Sequence, residues 1–329
     1  MGVRRYHRLI GAALTEVAYL LQTNGDNVGA EEVFREALAM ERKVYPPGDP
    51  HLASTMTKLA RSLRESAKLA EAEPLLREAL AIQRATLGND HPDVASTLRN
   101  LSSLLRDKGG DGLYEADTLF QEAIAIRRKV LGDSHPETAN TLNSYALLLS
   151  RMGENDRAVA VYREFIAILD QLHAEPHPSQ GAAYNNLAAV LRDEGRYDEA
   201  AALYRRSIRV TERVLAPGHP NRAFPIVGLA GVFMDQRRPA QAEPLLRQAL
   251  TLRRRGLPAG HRYVGETMSD LGACLTALGR YDDASRLLAE GLSVLREAEG
   301  DDASRTRRAR ARLADLDRAR AVAQAGTPR

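Results

Sequence analysis

The chain has 329 residues, 44% of them hydrophobic, with one Cys, no Trp and a formal net charge of +3 at pH 7. One Cys excludes an intrachain disulfide, and so small a net charge gives no global preference for nucleic acid. No apolar run approaches the roughly 20 residues needed to span a bilayer, and the start lacks the apolar stretch and cleavage site of a secretory signal, so no membrane partner and a cytoplasmic location are expected. Only five of the 46 basic residues are Lys, a bias that fits a high-GC, bacterial genome.

From near the first residue to about residue 300 the sequence repeats seven times with a period of 42. Each unit carries large and small apolar residues at spacings of three, four and seven, the signature of one helix face, followed by a second such stripe. The first unit reads Leu14, Val17, Ala18, Leu21, then Ala30, Phe34 and Leu38. The second repeats it as Met56, Leu59, Ala60, Leu63, Ala72, Leu76 and Leu80. In the third, Leu98, Leu101, Ser102 and Leu105 keep step, and two extra residues between Gly109 and Gly112 shift the remainder to Ala116, Phe120 and Ile124. The fourth to seventh units return the pattern around Ala146 and Ala158, Ala188 and Ala200, Ala230 and Ala242, and Gly272 and Ala284.

Breaks near Gly153, Gly195 and Gly279 stop a first helix, so each unit is a helical hairpin. The small residues let the two helix backbones approach closely, and larger side chains there would push the hairpin open. The expected units are 3–45, 46–87, 88–131, 132–173, 174–215, 216–257 and 258–300. After them, 301–323 reads as a basic amphipathic helix that caps the last hairpin and turns its Arg face to water, with 324–329 a disordered tail.

Five histidines, His91, His135, His177, His219 and His261, recur at the repeat period and so occupy equivalent loops. Neighbours spaced by two helices are on the order of 10–20 Å apart, too far to share a metal ion, so no metal and no cofactor are expected. The Pro after each of the first four starts the next helix. The first linker reads Asp49-Pro50 and the last His261-Arg262, which leaves those two helix starts less well marked. Cys274 sits within a helical stripe and reads as a packed thiol. No phosphate-binding loop, nucleophile elbow or His-Glu-x-x-His helix is present, so no catalytic residues and no enzymatic activity are expected.

The small and large positions, with Leu-Ala and then Gly195-x-Tyr197-x-x-Ala200, resemble the tetratricopeptide repeat. The usual period is about 34 residues. The longer unit, with Leu131-Gly132-Asp133-Ser134-His135-Pro136 between hairpins, resembles the kinesin-light-chain subclass. The resemblance covers about nine tenths of the chain. It implies an all-α, right-handed superhelical solenoid of seven hairpins plus a capping helix, with the first helix of every hairpin lining a concave groove. It also implies cargo-peptide binding through Asn and Arg, whereas no heptad region for a kinesin heavy chain precedes the repeats.

On the first-helix face opposite the apolar stripe stand Arg61, Arg64, Arg99, Asn100, Arg106, Asn140, Asn143, Arg151, Asn185, Asn186 and Arg192. Asn can bond both N–H and C=O of an extended backbone, and Arg offers a donor fork matched to carboxylate or phosphate. The strip is therefore expected to bind an extended acidic peptide. Tyr19 and Gln22 flank it at one end, and Phe224, Val227, Gly231, Met234, Ser269 and Ala273 form a more apolar end. The chain reads as a non-catalytic scaffold or adaptor. The alternative is a regulatory sensor of a peptide or nucleic acid, with the Arg-rich end (Arg305, Arg307, Arg308, Arg310, Arg312) as effector.

Overall fold

A computed structural model describes the backbone of residues 2–325 and the side chains of 9–324. All regular structure among the described residues is helical, and the helices fall into two units. The first unit, 2–172, contains α1 (Gly2–Thr23), α2 (Asn27–Val44), α3 (Pro50–Glu65), α4 (Leu69–Leu87), α5 (Pro92–Lys108), α6 (Gly112–Leu131), α7 (Pro136–Met152) and α8 (Asn155–Leu172). The second, 173–325, contains α9 (Pro178–Asp193), α10 (Tyr197–Val214), α11 (Ala223–Asp235), α12 (Pro239–Gly256), α13 (Arg262–Ala277), α14 (Tyr281–Glu299) and α15 (Ser304–Ala325). Within each unit consecutive helices pair as hairpins and each hairpin stacks on the next, the architecture of an all-α repeat solenoid.

The small positions carry the hairpin contact. Ala18, Ala60, Ser102, Ala146, Ala188 and Ala230 are fully buried, as are Ala30, Ala72, Ala116, Ala158, Ala200, Ala242 and Ala284 across from them. At Gly272 an added Cβ would come within 2.6 Å of Leu288 Cγ. Large residues fill the space between, and Phe34, Phe120, Tyr162 and Tyr184 are nearly inaccessible. Val17 departs from the expected stripe. It is 46% exposed, whereas its counterparts Leu59, Leu101 and Leu187 are buried.

Each first helix is followed at one repeating place by a residue with φ between 57° and 85°, Gly25, Ala67, Gly109, Gly153, Gly195, Arg237 and Gly279, and all but the Gly109 turn close as Schellman motifs. Arg238 N–H, for example, donates to Phe233 O at 2.8 Å. Ala67 and Arg237 adopt this left-handed conformation without being glycine, at a cost of about 1–2 kcal/mol each.

The periodic histidines have a definite role. The Nδ1 of His91, His135, His177, His219 and His261 accepts the backbone N–H two residues on, at 3.1–3.3 Å, capping the following helix. Asp49 does the same for His51 N–H at 2.9 Å, so the departure at the first linker substitutes one cap for another. The last linker keeps its His cap and loses only the Pro, and α13 starts at Arg262. After His219 the chain first makes a 3₁₀ turn, Pro220–Arg222, because Pro225 has no N–H to offer Asn221 O.

Near the ends of four second helices a long polar residue is buried: Glu41, Gln83, Arg127 and Arg253. Arg127 donates to Glu137 O at 2.5 Å and to Ser96 Oγ at 3.1 Å, and Arg253 donates to Tyr263 O and Thr267 Oγ1. Glu41 is bonded by Thr55, but its Oε2 has no partner, and burial pushes its carboxyl above the usual range.

The terminal helix packs against α14 and α13, with Arg307, Arg308 and Arg310 exposed and Arg305 and Arg312 half-buried. It starts at Ser304 and has no continuous apolar stripe, burying Thr306, Ala309 and Leu316. Four of its arginines pair with carboxylates before it in the unit: Arg305 with Glu266 and Glu299, Arg310 with Asp301, Arg312 with Asp270, Arg320 with Asp282. Of the tail expected to be disordered, Gln324 and Ala325 belong to α15, and 326–329 lie outside the described residues. No helix among the described residues is long and apolar enough to cross a membrane.

Three outcomes follow for stability. Ala200→Trp overpacks the α9–α10 contact and lowers stability by at least about 1–3 kcal/mol, read as a fall in melting temperature. Arg237→Gly relieves the left-handed residue and raises stability by about 1 kcal/mol in denaturant titration. Glu41 has a raised native pKa, so the native state holds its proton longer and this group's contribution is lost as pH rises through the folded value. Glu41→Gln therefore melts higher than wild type at about pH 7, a difference that shrinks toward about pH 4, where both states are protonated.

Candidate ligand-binding faces of the first helices

In the first unit, α3, α5 and α7 stand side by side, and their capped starts fix which residues face away from α4, α6 and α8. On α3, Arg61 is bonded to Gln22 Oε1 of α1 and lies 5.9 Å from the centre of the Tyr19 ring. Its Nε is buried without a partner. Gln22 in turn donates to Glu65 at 3.0 Å, which makes this flank a closed polar chain.

Asp107 holds two of the expected cations. Arg106 places Nε and Nη2 at 3.0 and 2.8 Å from its Oδ1, and Arg64 Nε lies 3.8 Å from its Oδ2. Burial, with Arg106 and Arg61 alongside, pulls the Arg64 guanidinium below its usual value despite this partner. Arg99 differs. It has no carboxylate within ion-pair distance among the described residues, its Nε is buried without a partner, and burial together with Arg127 pulls its pKa down. Asn100 is half-buried beside it.

On α7, Asn140 is exposed and hydrogen-bonds Glu137, whose carboxyl is held low mainly by Arg127 against the effect of burial. Asn143 keeps a buried Oδ1 with no partner. Arg151 rests on the Gly109 turn, its Nη2 3.2 Å from where a Cβ would stand.

The second unit has a different balance. Asn185 donates to Asn186 Oδ1 at 3.3 Å, and both line a cavity of about 500 Å³ with Ser179, Thr211, Asn221 and Phe224. Arg192 is clamped by Asp235 through Nε at 2.5 Å and Nη2 at 3.2 Å. A second cavity of about 420 Å³ continues from Asn185 and Arg192 along Phe224, Val227, Gly231, Met234 and Ala273 to Arg305, Arg308 and Arg312 of α15. The expected apolar end is thus gathered around one cavity, except for Ser269, which is buried and accepts from Arg312 at 2.9 Å. Its floor is an aromatic and cationic stack: Phe224 meets Tyr263 edge-on at 5.0 Å, and Arg253 lies 5.2 and 5.1 Å from the two rings.

Residues that the face pattern left out include Lys58, Gln83, Arg253 and the α15 arginines. Lys58 could have been found, because it stands 42 residues before Asn100. Gln83, Arg253 and the α15 arginines reach the face from other helices, which no single-helix pattern reports. Cys274 is a packed thiol. It is buried, its Sγ lies 3.2 Å from Pro239 O, and burial pushes its pKa up to about 11.

Models of the tetratricopeptide repeat match residues 110–171 and 179–255, and a second such model matches 52–93 and 264–302. No curated protein matches the chain. Among solved structures, the kinesin-light-chain nearly identical TPR-like repeats of Podosopora anserina are 25% identical over 62% of this chain and 96% of theirs, with a TM-score of 0.56. BtubC (BKLC) from P. vanneervenii is 24% identical over 63% of this chain and 84% of its own, with a TM-score of 0.54. A Rap protein complexed with Competence and Sporulation Factor is 15% identical over 93% of this chain and 74% of its own, with a TM-score of 0.55. The matched segments cover more than half of the chain and follow its stacked hairpins, and the chain belongs to the tetratricopeptide repeat family.

Proposed function

We propose that this protein is a non-catalytic scaffold whose first-helix faces hold an extended, acidic segment of a partner protein. Tetratricopeptide repeats are protein-interaction modules, and that much comes with the family. The acidic and extended character of the ligand rests on unmet bonding capacity. Arg99 has no carboxylate within ion-pair distance, and Asn143 Oδ1 is buried without a donor, among the described residues. An extended peptide supplies both, a side-chain carboxylate for Arg99 and a backbone N–H for Asn143. Asn185 and Asn186 offer a second amide pair beside a cavity large enough for a side-chain anchor. The Rap protein, which shares the fold, is complexed with Competence and Sporulation Factor, in keeping with ligand binding by this architecture.

The sensor reading, with the Arg-rich end as a nucleic-acid effector, has less support. Arg305, Arg310, Arg312 and Arg320 are already paired with carboxylates of their own unit. Binding phosphates would require those pairs to break.

The test is fluorescence anisotropy with an extended, unphosphorylated Asp- and Glu-rich peptide. Micromolar binding is expected, weakened at least tenfold in the Arg99→Glu, Asn143→Ala, Asn185→Ala variant and by raised salt. Equal affinity of wild type and variant would refute the groove assignment.

A further inference from the structure

A pocket of about 220 Å³ lies between α3 and α5 in the first unit, lined by Lys58, Arg61, Arg99 and Asn100 and by the hydroxyls of Ser54, Thr57, Ser96 and Thr97. We propose that it is a phosphate subsite that recognises a phosphoserine or phosphothreonine of the bound segment. The inference rests on the peptide-binding reading and names one chemical feature of the ligand.

Charge is the first argument. Three cations line the pocket, and its single carboxylate, Asp93, is exposed, with His91 Nδ1 3.7 Å away. Lys58 and Arg99 have no carboxylate within ion-pair distance among the described residues, and Arg61 is held by neutral Gln22. Elsewhere on these faces Arg64 and Arg106 are met by Asp107, Arg127 by Glu137 and Arg192 by Asp235, while Arg151 rests on the Gly109 turn outside the pocket. A single carboxylate would leave this pocket with surplus positive charge. A phosphate monoester brings about −1.5 to −2 at pH 7 with three strong acceptor oxygens.

Donor count is the second. The Nε atoms of both Arg61 and Arg99 are buried and unbonded. Guanidinium, ammonium and amide donors converge from two helices, a set suited to a tetrahedral oxyanion, where a planar carboxylate would satisfy fewer of them, while the Thr57 and Ser96 hydroxyls already donate to Ala53 O and Pro92 O. Burial and the nearby Arg127 already work against the Arg99 charge, a cost that a dianion relieves.

The test uses the full chain and three probes: an otherwise uncharged extended decapeptide with one phosphoserine, the same peptide with Glu at that place, and inorganic phosphate. Calorimetry is expected to show the phosphopeptide binding at least tenfold tighter than either other probe. Lys58→Gln should weaken it at least tenfold at an unchanged melting temperature, and Lys58→Arg should restore it. Equal binding of the Glu peptide, equal binding of free phosphate, or no loss in Lys58→Gln would each overturn the proposal. If the phosphopeptide gains nothing while the acidic peptide above still binds, this inference falls and the scaffold reading stands.

Discussion

The closest approach of two helix backbones in each hairpin is the constraint on which the rest of the structure depends. It is set by small buried residues such as Ala188, Ala200 and Ala284, and by Gly272 and Gly291, where an added Cβ would come within 2.6 Å of Leu288 and 2.8 Å of Gly265 O. With nothing larger than a methyl or hydroxymethyl group at the crossing, the large residues on either side interdigitate at the density of a protein interior. This fixes the rotation of each first helix. Its outward face then carries whatever polar residues the sequence places there, and these can change from repeat to repeat without disturbing the packing.

Polar chemistry between hairpins is organised just as strictly. Histidine serves as the N-cap in five linkers and Asp in another, each meeting a backbone donor that the helix start would otherwise leave open. Below them, buried Arg127 and Arg253 reach carbonyl oxygens of the following first helix, and the counterpart at Leu295 is buried and apolar. Side chains at this seam are matched in kind, so a buried guanidinium is tolerated because its carbonyl and hydroxyl partners are built in.

Much of the fold was legible because hydrophobic spacing and repetition both report helix faces. The hairpins, their small positions and the turns at Gly153, Gly195 and Gly279 all follow from it. Arg237 and Ala67 were not legible as left-handed turn residues, since neither residue type advertises that conformation, and only alignment to the glycines of other repeats reveals it. The histidines drew attention by their spacing, but their capping role depends on which ring nitrogen faces the helix, a matter of rotamer. Of the outward-facing residues, the helix wheel located them but could not tell which cations are free. Arg64, Arg106 and Arg192 have carboxylate partners on their own or a neighbouring first helix, whereas Arg99 has none within ion-pair distance among the described residues, and that difference is a property of neighbours 1 to 43 residues away in sequence.

The second helices carry a ladder of ion pairs in which an Arg of one hairpin meets a Glu of the next: Arg35 with Glu71, Arg42 with Glu78, Arg77 with Glu115, Arg84 with Glu122 and Arg128 with Glu164. Each rung is partly exposed and contributes roughly 0–1 kcal/mol. These five pairs, all in the first unit, share one sense, with the cation on the earlier module and the anion on the later, while Lys68–Glu31, Lys108–Glu73 and Arg157–Asp117 run the other way. A recombination that drops or doubles one whole module of this ladder rejoins an Arg to a Glu. The gene can therefore lengthen or shorten its product in steps of one repeat while the new junction keeps matched charges, and the number of modules can evolve separately from the residues that face a ligand.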